Sequence, residues 1–176
     1  MNQKLYTVTV YSENHVGLLS QIANIFTRRF INIESLTVSA SAINGVHKFT
    51  IICISDIKLL EKVVKQIEKK IDVLKAYCCT EDEVILREIA LFKISTGTLL
   101  ANNTIEGLVN KFNAKILEVN DHYTVIEKTG NQAEIQELYK TLEPTGILQF
   151  VRSGSVSITR SKYEQLSDFV ASGVEL

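Results

Sequence analysis

The two halves of this chain carry the same succession of short apolar patterns, and that repetition restricts the possible folds more than any single motif does. Residues 5–11 alternate, with Tyr6, Val8 and Val10 on one face and Thr7 and Thr9 on the other, as in a half-buried strand. After a loop from Ser12 to Val16 the spacing turns helical through Leu18, Leu19, Ile22, Ile25 and Phe26. Arg28 and Arg29 close the last turn, where the helix dipole favours cations. Alternation returns over residues 36–42, with Leu36, Val38, Ala40 and Ala42 set against Thr37, Ser39 and Ser41. Asn44-Gly45, a tight-turn dipeptide of right-twisted hairpins, leads into a strand from Lys48 to Ile54. Asp56 stands as the N-cap of a second helix whose Leu60, Val63, Val64 and Ile67 share a face, and residues 71–79 read as a last strand.

The second half repeats that order. Ile89 to Ile94 is a strand, and Ile105, Leu108, Val109 and Phe112 are spaced for a helix. Ile116 to Val119 and Tyr123 to Glu127 form a hairpin. Ile135, Leu138 and Leu142 mark a further helix, stopped by Pro144, and Gly146 to Ile158 supplies the final strand. The pattern predicts an α+β chain of two tandem ferredoxin-like βαββαβ domains, each an antiparallel sheet with its helices on one face. The domains are expected at residues 1–80 and 84–160, separated by the acidic stretch Thr80 to Glu83. In the tail, residues 161–176, Tyr163, Leu166, Phe169 and Val170 recur at helical spacing and predict a short amphipathic helix packed on its own domain. Each sheet keeps one face without helices, which must stay polar or be covered. Pairing of two copies through edge strands or helices is the economical solution, so a homodimer is expected.

Composition narrows the function. The net charge of −1 is spread without blocks, so the basic footprint of a nucleic-acid binder is missing. The central strand of the first half offers one aromatic, Phe49, where base stacking needs a platform. The alternating N-terminus is neither a signal peptide nor a membrane span, so a cytoplasmic protein without membrane contacts is expected. Cys53, Cys78 and Cys79 are odd in number and lack chelating or redox spacing, which fits buried thiols in a reducing compartment. The histidines, His15, His47 and His122, form no metal-binding motif, and the eight glycines are not grouped into a phosphate loop. No catalytic residue, metal or cofactor is therefore expected in this chain.

The informative loop is Asn14-His15-Val16-Gly17-Leu18-Leu19, which runs from the first strand into the first helix. A helix start presents unpaired N–H groups and partial positive charge to a carboxylate. Gly17 lets a ligand approach the backbone, and Asn14 can donate or accept beside it. Past the helix, the Asn32 carbonyl can accept from an ammonium. With Leu18 and Ile33 supplying apolar contact, the set describes a site for a free aliphatic amino acid. The same residues also serve as an ordinary capping turn.

The run Gly17-Leu18-Leu19 followed by Phe26-Thr27-Arg28-Arg29-Phe30-Ile31-Asn32-Ile33-Glu34-Ser35-Leu36-Thr37-Val38 closely resembles the signature of the regulatory small subunits of acetolactate synthase (acetohydroxyacid synthase), an ACT-domain family. The resemblance continues through Lys65-Gln66-Ile67, Asp72-Val73, Arg87-Glu88-Ile89-Ala90-Leu91, Thr129-Gly130, Glu143-Pro144-Thr145-Gly146-Ile147 and Arg152-Ser153-Gly154, and covers roughly residues 4–160. It implies an ACT domain followed by an ACT-like domain, and a dimer that binds valine where two ACT domains join their sheets. By position, the contacts would be Asn14, Gly17 and Leu18 of one chain with Asn32 and Ile33 of its neighbour. The implied partner is a large catalytic subunit carrying thiamine diphosphate, FAD and magnesium, which condenses two pyruvates or pyruvate with 2-oxobutyrate in branched-chain amino-acid biosynthesis. The small subunit would raise its activity and confer feedback inhibition.

Two positions depart from the pattern. Val16 stands where the family commonly has proline, which removes a constraint on the loop backbone. His15 stands where a polar or acidic residue is usual, and if it faces the ligand, feedback would vary near pH 6–7. A stand-alone tandem-ACT regulator of another enzyme or of transcription is the alternative. It would share the fold but is not expected to combine Asn32-Ile33-Glu34-Ser35-Leu36 with Arg152-Ser153-Gly154.

Overall fold

The computed structural model describes residues 3–97, 104–162 and Leu166. The chain divides into two compact units, Met1–Leu86 with Ser155–Leu176, and Arg87–Gly154.

In the first unit the order is β1 (Lys4–Glu13), α1 (Leu18–Thr27), β2 (Ile33–Ala40), β3 (Val46–Ser55), α2 (Ile57–Ile67) and β4 (Val73–Thr80), and the sheet runs β2-β3-β1-β4 with every pairing antiparallel. Period-two alternation puts Tyr6, Val8 and Val10 of β1 and Phe49, Ile51 and Cys53 of β3 on one side. There they pack against Leu18, Ile22, Ile25 and Phe26 of α1 and Leu60, Val63, Val64 and Ile67 of α2. Each fully buried aliphatic or aromatic side chain here contributes roughly 1.5–3 kcal/mol. The Asp56 side chain accepts from the Lys58 N–H at 2.9 Å, so α2 carries its expected N-cap. The Asn44-Gly45 dipeptide forms the centre of a turn closed by the Val46 N–H on the Ile43 carbonyl, with Gly45 at φ 78°.

The second unit repeats the plan with β5 (Val84–Ser95), α3 (Thr104–Lys111), β6 (Lys115–Val119), β7 (Tyr123–Gly130), α4 (Gln132–Leu142) and β8 (Ile147–Arg152), in sheet order β6-β7-β5-β8. Its core joins Ala90, Phe92 and Ile94 of β5 and Ile126 of β7 to Ile135, Leu138 and Leu142 of α4. Asn131 and Glu134 cap α4 reciprocally, at 2.8 and 2.9 Å.

Three features differ from the reading of the sequence. The expected single strand from Gly146 to Ile158 is two strands, β8 and β9 (Val156–Thr159), because Gly154 adopts φ 78° and turns the chain between them. Residues from Ser155 onward belong to the first unit, where the expected division at 84–160 had assigned them to the second. They cross the helix-free face of the first sheet. The Ser155 N–H donates to Ser35 Oγ, Lys48 Nζ donates to the Ser157 carbonyl, and Thr50 and Ser157 pair through their hydroxyls. This covering explains why Thr7, Thr9 and Tyr11, on the face opposite the helices, are as buried as Val8. Of the tail, Leu166 is helical and packs with Tyr11 and Val46 of the first unit rather than on the second domain, while Tyr163, Phe169 and Val170 lie outside the described residues. On the second sheet Ile89, Leu91 and Val151 share the helix-free face and remain exposed. Among the described residues no helix is long and apolar enough to cross a membrane.

Cys53 and Cys79 are buried and Cys78 half-buried, all as free thiols. Burial pushes Cys53 up to about 12 and Cys79 to about 11, so neither is a nucleophile at neutral pH.

Candidate functional site

Helix α1 starts without a side-chain cap. Gly17 occupies the N-cap position at φ 88°, in the left-handed region, and nothing beyond its chain neighbours lies within 4 Å of where a Cβ would stand. Beyond Leu18, whose N–H is taken by the His15 carbonyl, the first-turn amides of Leu19 and Ser20 have no side-chain acceptor, which is the arrangement that receives an anion. The loop leading to them is pinned at both ends. The Asn14 N–H donates to the Gly45 carbonyl at 3.2 Å, and the Leu18 N–H to the His15 carbonyl at 3.3 Å. The Asn14 side chain is exposed and carries no hydrogen bond among the described residues.

Leu18 does not take the place expected of it. Its side chain is turned into the core and is 2% exposed, so its contribution to a ligand site is limited to the backbone. Asn32 and Ile33 begin β2 beyond the other end of α1. Asn32 Nδ2 donates to Glu34 Oε1 at 2.8 Å, which orients the amide and leaves its carbonyl oxygen as the free acceptor. Ile33 is half-buried against the core. A ten-residue helix separates the two groups, which spans about 15 Å. One chain thus brings Asn14 together with Gly17, and Asn32 together with Ile33, but it does not bring one pair to the other.

His15 turns toward the sheet. Its Nδ1 lies 2.6 Å from Asp72 Oδ1, its Nε2 lies 3.5 Å from Glu13 Oε2, and the donor atoms of the three groups are within 4.8 Å of one another. The Glu13 N–H also donates to the Asp72 carbonyl at 2.9 Å. Nothing in the local sequence marks Asp72 as a partner, because it is 57 positions away and meets the loop only through the pairing of β1 with β4. The hydrogen bond that the His15 ring donates to Asp72, and then the Asp72 charge, raise the pKa of His15 above its ordinary 6.5. A raised folded-state value means the contact stabilises fully below about pH 6.5 and loses that contribution as pH rises through the raised value. Asp72→Asn is expected to return the imidazole toward its ordinary titration, followed by NMR of its ring protons. An unchanged midpoint would show that the Asp72 contact is not formed in solution.

A separate cleft of about 350 Å³ is lined by Tyr11, Lys48, Tyr77, Ser157 and Lys162 among others, on the covered face of the first sheet, and none of the expected site residues reaches it.

Two βαββαβ units, the first with a glycine-led and uncapped helix start, define a tandem protein of the ACT class. Residues 8–75 match the model of the AHAS small subunit-like ACT domain, and residues 87–161 match the model described as the small subunit of acetolactate synthase. The chain is 34% identical over 160 residues to the acetolactate synthase small subunit of Mycobacterium bovis, covering 91% of this chain and 95% of that protein. It is 31% identical over 166 residues to that of Bacillus subtilis, covering 94% and 95%. The crystal structure of the acetolactate synthase small subunit from Thermotoga maritima is similar at a TM-score of 0.82, with 28% identity, over 91% of this chain and 99% of that one. The chain belongs to the family of acetolactate synthase small subunits.

Proposed function

We propose that this chain is the regulatory partner of a large catalytic acetolactate synthase subunit, which it activates, and that it confers feedback inhibition by binding valine between two copies of itself. The uncapped, left-handed Gly17 at the start of α1 carries this reading, because it leaves backbone amides and open space where an amino-acid carboxylate fits. The ammonium would be met by the Asn32 carbonyl of the second copy, whose amide is oriented by Glu34. Valine would favour one arrangement of the dimer and the catalytic subunit the other. Such coupling amounts to about 1–3 kcal/mol and is reciprocal, so the catalytic subunit weakens valine binding by the same factor by which valine weakens binding of the catalytic subunit.

The test has two arms. Calorimetric titration with valine is expected to give saturable binding to the wild-type chain and none to Asn32→Ala. Acetolactate formation by the large subunit is expected to rise on adding the chain and to fall again on adding valine. Activation without valine binding would make the chain a constitutive activator, and absence of activation would remove the proposed regulatory role altogether.

A further inference from the structure

His15 is the one ionisable residue between Asn14 and Gly17, and the fold ties it to both ends of that loop. Its carbonyl accepts the Leu18 N–H at 3.3 Å, and its own N–H donates to the Glu13 carbonyl at 3.1 Å. The first of these bonds closes a four-residue turn from His15 to Leu18, whose end Cα atoms lie within about 7 Å. The ring turns the other way, onto Asp72 at 2.6 Å and toward Glu13 at 3.5 Å. The imidazole therefore makes no contact with a carboxylate held at the start of α1, but its charge stands one backbone turn away.

The charged groups facing the ring are Asp72, from the segment before β4, and Glu13, at the end of β1. The hairpin turn at residues 43–46 carries no charged side chain, and the first turn of α1 carries no acidic one. On β3, His47 stands opposite Ser12, and on β4, Lys75 pairs with Glu68 at 3.4 Å. With the imidazole protonated, one of the two carboxylates is balanced. When the proton leaves, both stand uncompensated beside the helix start, and an incoming carboxylate meets their repulsion. The neutral ring still donates its Nδ1–H to Asp72, so the loop keeps its anchor and the charge alone changes. The Asp72 contact also keeps the proton on His15 to a pH above the ordinary 6.5, which moves the change toward neutrality.

We propose that His15 is a positioning residue of the amino-acid site, which holds a proton against Asp72 so that a ligand carboxylate is accepted at Gly17 in step with protonation of the ring. The inference rests on the function proposed above and adds a second signal to it, since acidity and amino-acid concentration are read at one place. Valine binding takes up a proton, and by linkage the bound carboxylate holds that proton on His15 to a higher pH. A unit charge about 8 Å from the carboxylate changes affinity by roughly two- to thirtyfold, between bulk-water and protein-surface screening. The effect falls as salt is added.

Calorimetric titration of the full chain with valine, at about pH 5.5 and about pH 8.5 on either side of the histidine range, tests this. Each titration is run at low ionic strength in two buffers of different ionisation enthalpy, which reads proton uptake beside affinity. The wild-type chain is expected to bind at least threefold more tightly at the lower pH, with proton uptake between the two. His15→Gln keeps a donor for Asp72 but cannot titrate, and should show the weaker affinity at both pH values without uptake. His15→Lys keeps the charge and should hold the tighter affinity at both, a rescue that a purely structural histidine would not give. One wild-type affinity at both pH values without uptake would overturn the role of His15 and leave the sensing site standing. A pH dependence retained in His15→Gln would assign the proton to another group, and weak binding by His15→Lys at the lower pH would reduce His15 to a structural contact. Either result overturns the inference. No valine binding at any pH would remove the sensing site and this inference with it.

Discussion

Gly17→Asp is expected to abolish measurable valine binding while leaving the fold intact. The position has open space around the site of a Cβ, so the new side chain meets no steric barrier. Aspartate tolerates a left-handed backbone better than most residues, and a carboxylate at a helix N-terminus interacts favourably with the dipole. For the ligand the effect is opposite. The new carboxylate would stand within a few ångströms of the ligand carboxylate, and like charges at about 4 Å in a partly solvated site repel by about 2–4 kcal/mol, a loss of roughly 30- to 1000-fold in affinity. Calorimetry together with thermal unfolding separates the two consequences. Binding preserved in a well-folded variant would place the valine carboxylate elsewhere and remove the helix start from the site.

Arg152→Met is expected to lower the stability of the second unit by about 3 kcal/mol. Glu88 is 3% exposed on the helix side of β5, and Arg152 Nη2 donates to its Oε1. The neighbouring Ser153 fastens the same strands: its N–H donates to the Ile89 carbonyl at 2.9 Å and its Oγ accepts from the Ile89 N–H at 3.0 Å. Removing the guanidinium leaves a carboxylate buried without its partner, which is costlier than removing the pair. The double variant Glu88→Gln with Arg152→Met should therefore recover most of the loss in urea unfolding. Equal stability of the single and double variants would show that the pair is not coupled in the folded chain.

These two sites were legible in the sequence to different degrees. The Gly17 loop was evident because a helix start is local, and its residue types and spacing occur within six positions. The Arg87-Glu88-Ile89-Ala90-Leu91 and Arg152-Ser153-Gly154 segments stood out only by resemblance, and nothing in either run says that the two meet. Their contact follows from the antiparallel register of β5 with β8, which pairs Ala90 with Arg152. His15 shows the same limit. As a loop histidine it was a candidate to face the ligand, and the pairing of β1 with β4 gives it Asp72 instead.

Local patterns in the chain were enough to establish the strand and helix order of both repeats, the faces that Val8, Phe26, Leu60 and Ile135 bury, and the cap at Asp56, because side-chain direction in strands and helices is set by position within a few residues. Tertiary structure alone decided that Ser155 to Thr159 return to cover the first sheet, that Leu166 joins Tyr11, and that Phe30 is left in solvent. Each of those outcomes depends on which surface is already occupied by a distant segment. Burial is a sum over all neighbours, and no short run of sequence contains that sum.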